Sequence, residues 1–224
     1  MTNRTLKTTM VGQEYRMPVG LAPTGFCGMQ DADGEIKACR AANKFGVPFT
    51  LSTMSICSIE DVAAHTEAPF WFQVYMLKDR PFMEKLLLRA KAAECSALML
   101  TLDLQVMGQR HNDIRNGLSA PPKISPSTAW QFISRPGWVS RILRTRRHGF
   151  GNIVGHATGV SNLASLSSWI GEQFDPKLSW EDVQWVRDRW PGKLIIKGIM
   201  DAEDAKRCVQ TGAEAIVVSN HGGR

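Results

Sequence analysis

The sequence is short of cysteines, has no long apolar run and contains one long stretch without an acidic residue. Its five cysteines, Cys27, Cys39, Cys57, Cys95 and Cys208, are odd in number, widely spaced and free of any C-x-x-C pair. A disulfide framework and a cysteine zinc site are thereby excluded as organising devices, and a reducing compartment is the natural reading. No run approaches the roughly eighteen apolar residues of a spanning helix. Met1 to Lys7 is polar where a signal peptide would be apolar. A cytoplasmic chain is expected, soluble or at most peripheral on the inner face of the cell membrane. His65, His111, His148 and His156 show no metal-ligand spacing, so no metal site is expected.

What is present is alternation. Short apolar runs at Met17–Ala22, Val47–Thr53, Phe70–Met76, Ala97–Leu104, Lys193–Ile199 and Ala215–Val218 have the length of strands. Helical patterns lie between them. Ile36, Cys39, Ala42 and Phe45 share one face of a helix over Gly34–Phe45, and Phe82, Leu86, Ala90 and Ala93 do so over Asp79–Cys95. Ser58 with Asp61 and Ser179 with Asp182 have capping-box spacing, and Asp201 to Gly212 ends at a glycine. This βαβ rhythm predicts a parallel sheet. Six strand and five helix signals, with no Gly-rich phosphate loop at the first turn, predict a (β/α)₈ barrel cut off before closure, with a doubly wound open sheet as runner-up. The whole chain, 1–224, is read as one partial barrel with a long basic loop insertion at about 105–178.

Polar residues recur where each apolar run ends. Thr24 follows the first, Ser52 closes the second, and Gln73 and Tyr75 interrupt the third. Thr101 and Asp103 lie in the fourth, Lys197 in the fifth, and Ser219, Asn220 and His221 end the sixth. Each residue alone has a plain structural explanation, as a cap, a strand former or a rim hydroxyl. Asp103 and Lys197 are harder to explain that way, because burying a charge inside a strand is costly unless it is paired or meets a ligand. The last stretch sets His221 three positions before Arg224 at a strand's end, where a base could take a proton while a guanidinium grips a carboxylate.

Ala22-Pro-Thr24, Leu51-Ser-Thr53, Phe72-Gln-Val-Tyr75, Thr101-Leu-Asp103 with Gly108-Gln-Arg110, Ile196-Lys-Gly198 and Ser219-Asn-His-Gly-Gly-Arg224 together resemble the FMN-dependent α-hydroxy-acid dehydrogenases and oxidases. That family includes flavin L-lactate dehydrogenase, lactate monooxygenase, glycolate oxidase and mandelate dehydrogenase. The segment from Phe174 to Ile199 is most similar to the membrane-associated, quinone-linked L-lactate dehydrogenases. The resemblance implies FMN as cofactor and oxidation of a small (S)-2-hydroxy acid, L-lactate first, to the 2-oxo acid, with quinone or oxygen as electron acceptor. It implies His221 as the base and Asp103 as the group that holds its imidazole. Tyr75, Arg110 and Arg224 would bind substrate. Ala22, Pro23, Thr24, Ser52, Gln73, Thr101, Lys197 and Ser219 would bind the flavin. The resemblance also implies that flanking segments of an intact member are missing, and that the full-length protein is a homo-oligomer.

The charge is uneven. Of a formal +6, the stretch between Asp113 and Glu172 contributes Arg115, Lys123, Arg135, Arg141, Arg144, Arg146 and Arg147 with no acid among them. Trp130, Phe132, Trp138, Ile142, Leu143 and Phe150 are interleaved, a mixture suited to anionic lipid at about 113–150, and equally to a solvated loop or a lid. No nucleic-acid motif accompanies it. The rival reading is an inactive barrel fragment that acts through this basic surface on a membrane or a nucleic acid.

Overall fold

The computed structural model describes residues 4–104, 111, 115, 126–160 and 163–223. The chain opens with an antiparallel hairpin, β1 (Thr8–Met10) and β2 (Gln13–Tyr15), turned by Val11 and Gly12, both at positive φ. Then come α1 (Cys27–Gln30), α2 (Gly34–Phe45), β3 (Thr50–Ser52), α3 (Ile59–Ala64), β4 (Trp71–Tyr75), α4 (Arg80–Ala92) and β5 (Ala97–Thr101). The basic region supplies α5 (Pro126–Ile133), α6 (Pro136–Arg144) and α7 (Leu163–Gln173), and the chain continues through α8 (Trp180–Arg189), β6 (Lys193–Ile199), α9 (Ala202–Gln210) and β7 (Ala215–Val218).

β3 to β7 form one parallel sheet in sequence order, the arrangement of a (β/α)₈ barrel wall. Parity then sorts the side chains. Phe72, Val74, Leu98, Leu100, Leu194 and Ile196 face the helices and join the main core with Ile59, Leu86, Val183 and Val186. Trp71, Ala97, Met99 and Ile195 face the other way, and Met10, Val11 and Tyr15 of the hairpin pack onto them, so the hairpin floors the barrel interior. Tyr15 meets Trp71 edge to face at 6.3 Å. The hairpin carries no strong sequence signal and was not expected.

The first expected strand, Met17–Ala22, is only a single bridge. Leu21 pairs with Phe49, its N–H donating to the Pro48 carbonyl and its carbonyl accepting from Thr50. Pro18 and Pro23 have no N–H to continue the ladder. The helices match their cap signals: Ser58 with Asp61 forms a reciprocal capping box, the Asp182 carboxylate accepts the Ser179 N–H at 2.9 Å, and Asp79 and Asp201 cap α4 and α9.

The insertion is not the loop expected from its composition. Besides α5, α6 and α7, it buries Phe150, Ile153, Ala157, Val160 and Leu166 in the main core. Its front half is clipped to the body: the Trp138 indole N–H donates to the carbonyls of Met29 (3.1 Å) and Gln30 (3.0 Å), Arg141 pairs with Asp31 (2.8 Å), and Arg147 pairs with Asp33 (2.9 Å) and Asp61 (2.7 Å).

Candidate active site

Of the polar residues anticipated at strand ends, Ser52, Gln73, Tyr75, Thr101 and Lys197 fall on the inner face of the sheet. Register sets Ser52 beside Gln73, and Thr101 between Tyr75 and Lys197. The fully buried Gln73 ties the row together. Its carboxamide oxygen accepts from the Ser52 hydroxyl (3.2 Å) and the Thr53 N–H (3.3 Å), and its amide nitrogen donates to the Thr101 hydroxyl (3.1 Å). Ala22, Pro23 and Thr24 follow the Leu21 bridge. Thr24 is exposed, with its hydroxyl turned back to the Ala22 carbonyl at 3.4 Å.

Two anchors hold the loops around this row, and neither was expected from the sequence. The buried Glu35 carboxylate accepts the N–H groups of Gly28 (3.0 Å) and Ile56 (3.0 Å), which bolts the segment after Thr24 to the loop leaving β3. A signal existed: Glu35 falls on the same helical face as Cys39 and Ala42, an acid in an apolar stripe. Asn152 is also fully buried, donating to Ser55 Oγ (2.9 Å) and accepting from the Ile59 N–H (2.9 Å). An asparagine in a Gly-rich stretch gave no sign of it.

The second cluster lies where β5, β6 and β7 end. Asp103 Oδ1 is 2.8 Å from His221 Nδ1, and Asp103 Oδ2 accepts from Lys197 Nζ (3.1 Å) and the Ser219 hydroxyl (3.2 Å). Lys197 Nζ also donates to Ser219 Oγ (3.0 Å), and Ser219 Oγ accepts the His221 N–H (3.0 Å). Ser219, expected to bind flavin, is therefore the hinge of the Asp103, Lys197 and His221 cluster. Asp103 and Lys197 are buried, while the His221 ring is partly open. Burial pushes the Asp103 carboxyl upward, but hydrogen bonds from His221 and Lys197 outweigh it and hold the group below its ordinary value. A depressed carboxylate contributes stability above its unfolded value, and that contribution is lost as pH falls through the folded one. Thermal melts should therefore show an acid loss that begins near the ordinary value of 3.8 and continues below it, with that part of the slope missing in Asp103→Asn.

Gly198 makes this geometry attainable. It sits at a bulge between β6 and β7 with φ +104°, and a Cβ there would lie 2.7 Å from both the Cβ and the backbone nitrogen of Asp103. Tyr75 shares the inner face with Gln73 and rests its ring on Phe174 at 5.7 Å. Arg110 and Arg224, expected to clamp the substrate, lie outside the described residues.

All 224 residues match the FMN-dependent dehydrogenase family. The chain belongs to that family. Among solved structures, the monotopic membrane protein (S)-mandelate dehydrogenase is 34% identical over all of this chain and 59% of its own, with a TM-score of 0.90. A soluble mutant of the membrane-associated (S)-mandelate dehydrogenase from Pseudomonas putida is 32% identical over all of this chain and 56% of its own, TM-score 0.75. A mandelate oxidase mutant solved with a C4a-OH-FMN adduct is 31% identical over all of this chain and 54% of its own, TM-score 0.74. The chain thus spans a little over half the length of the structures it matches. On adjacent strands Ser52, Gln73, Thr101 and Lys197 set two hydroxyls, a carboxamide and an ammonium side by side, polar groups of the kind that FMN, the cofactor of this family, can hydrogen-bond.

Proposed function

We propose that this member of the FMN-dependent dehydrogenases oxidises a small (S)-2-hydroxy acid to the 2-oxo acid. The observation that carries the proposal is the buried Asp103 carboxylate 2.8 Å from Nδ1 of a partly exposed His221 ring. Ionised Asp103 keeps the ring proton on Nδ1 and leaves the Nε2 lone pair free to bind a proton, so His221 can take one of the two protons lost by the substrate at C2 and its hydroxyl. Asp103 then stabilises the imidazolium. Tyr75 orients the substrate, and Arg110 and Arg224 bind its carboxylate in the planar fork that guanidinium provides. Ser52, Gln73, Thr101, Lys197 and the backbone of Ala22, Pro23 and Thr24 would hold FMN, which when bound accepts the two electrons.

L-lactate is the proposed substrate, on the sequence resemblance. (S)-Mandelate is the second reading, favoured by the names of the matched structures. The deciding measurement is the visible spectrum of the protein with FMN, before and after each acid is added anaerobically. Bleaching by L-lactate supports the first reading, bleaching by (S)-mandelate alone supports the second, and a bound flavin that neither acid bleaches overturns both.

We further propose that the basic insertion rests on anionic lipid, which would set the flavin site near the membrane so that the two electrons taken from the substrate could pass from FMN to a membrane quinone. Among the described residues no helix is long and apolar enough to cross a membrane. Trp130, Ile133 and Leu143 stand largely exposed, however, beside exposed Arg135, Arg144 and Arg146, whereas Arg141 and Arg147 are engaged with the body. The first three arginines are therefore the lipid-facing ones. Changing all three to glutamate should weaken co-sedimentation with anionic vesicles by at least roughly 100-fold, taking about 1 kcal/mol per charge. Unchanged binding would exclude lipid contact at this face.

A further inference from the structure

Lys197 has more partners than a lysine placed only for a cofactor needs. Its ammonium has three N–H donors and no acceptor. Asp103 Oδ2 lies at 3.1 Å, Ser219 Oγ at 3.0 Å and His221 Nδ1 at 3.3 Å. The contact with His221 cannot be a hydrogen bond while Nδ1 donates to Asp103 Oδ1, because both atoms would then present hydrogens to each other. Lys197 and His221 therefore compete for one carboxylate, each holding one of its oxygens. Among the described residues, Asp103 and Lys197 are the charged groups in contact with the His221 ring.

We propose that Lys197 is a positioning residue for the Asp103 and His221 pair: docked on Oδ2 it limits the carboxylate's hold on the imidazole, and when drawn away it gives that hold to His221 in full. The proposal rests on the reading of His221 as base and Lys197 as a cofactor neighbour. Its consequence is a coupling of charge to proton retention. Negative charge at the far side of the ammonium attracts Lys197 off Asp103, the Nδ1–H···Oδ1 bond shortens, and a proton taken up at Nε2 is held more firmly. Ser219 makes the movement limited and reversible, since its hydroxyl accepts from Lys197 and donates to the same Asp103 oxygen. The ammonium has a second acceptor at hand whichever way it leans.

The test needs neither turnover nor bound flavin. In the flavin-free protein labelled with ¹⁵N-histidine, the Nδ1 proton of His221 is followed by NMR in wild type, Lys197→Met, Lys197→Gln and Lys197→Arg. Methionine keeps the length without charge, and glutamine keeps a hydrogen bond without charge. Both should move the Nδ1 proton downfield and slow its exchange with solvent, as the Nδ1–H···Oδ1 bond takes up the whole carboxylate. Lys197→Arg, which keeps the charge, should stay near wild type. Two neutral variants that leave the resonance in place, or an arginine variant that behaves like methionine, would overturn the proposal. FMN reduced anaerobically with dithionite is then added. It should shift the wild-type resonance in the same direction and leave Lys197→Met unmoved. A reduced flavin that binds without shifting the wild type also overturns the proposal, whereas failure to bind flavin counts against the cofactor reading and leaves the flavin-free comparison decisive.

Discussion

Replacing His221 with asparagine should lower kcat of the flavin-loaded protein by roughly 100- to 10,000-fold, the range supplied by a positioned general base. Asparagine is the informative choice. His221 sits in the left-handed region at φ 57°, which asparagine tolerates better than most residues, so the backbone of the Ser219 to Gly222 turn can persist. The turn's own bonds, Ser219 Oγ to the His221 N–H and Asn220 Oδ1 to the Gly222 N–H, do not use the imidazole. FMN affinity and spectrum should accordingly stay close to wild type while anaerobic bleaching by L-lactate slows. Bleaching at the wild-type rate would remove His221 from the chemistry.

Gly198→Ala should have the second largest effect, and it should act on stability and site together. The residue's φ of +104° is strained for any L side chain, and the new methyl would sit 2.7 Å from Asp103. Strain and overpacking together cost about 2–4 kcal/mol, or roughly 5–15 °C of Tm in a chain of this size. Asp103 cannot retreat cheaply, because Leu102 is pinned by its N–H to the Lys197 carbonyl at 2.9 Å. The methyl should push the carboxylate off both His221 and Lys197, and the Nδ1 proton resonance should be lost even in protein that remains folded. Calorimetry and the same NMR spectrum read the two effects separately. A variant with wild-type Tm would show that the bulge can relax without Asp103.

Much of the wall and several of the polar contacts in the candidate site could be read before the fold was known, because burying polarity is expensive. Lys197 and Asp103 stood out as charges inside apolar strands, and the structure pairs them with each other. Gln73 and Thr101 stood out by parity, and they share a hydrogen bond. The strand expected at Met17–Ala22 failed for a local reason: proline supplies no donor, so only Leu21 finds a partner. The insertion misled through composition. Its glycines, prolines and serines resembled a loop, yet Pro136 sits in the first turn of α6, where a missing N–H costs nothing. Glu35 was visible in principle, as an acid on an apolar face. Asn152 was not, since its value lies in reaching Ser55 and Ile59 from a segment nearly a hundred residues away.

That last kind of distance also divides the site in time. The inner-face row links residues 21 and 28 positions apart, Ser52 to Gln73 and Gln73 to Thr101, whereas Asp103 and His221 are separated by 118. Closing the longer loop costs about 1 kcal/mol more entropy than the 28-residue one, and contacts of high sequence separation are the slow ones in folding. The row can therefore assemble from the first half of the chain during refolding, while the Asp103 and His221 pair waits for β6 and β7 to find their register. The His221 to Asp103 hydrogen bond then reports that the chain has finished folding.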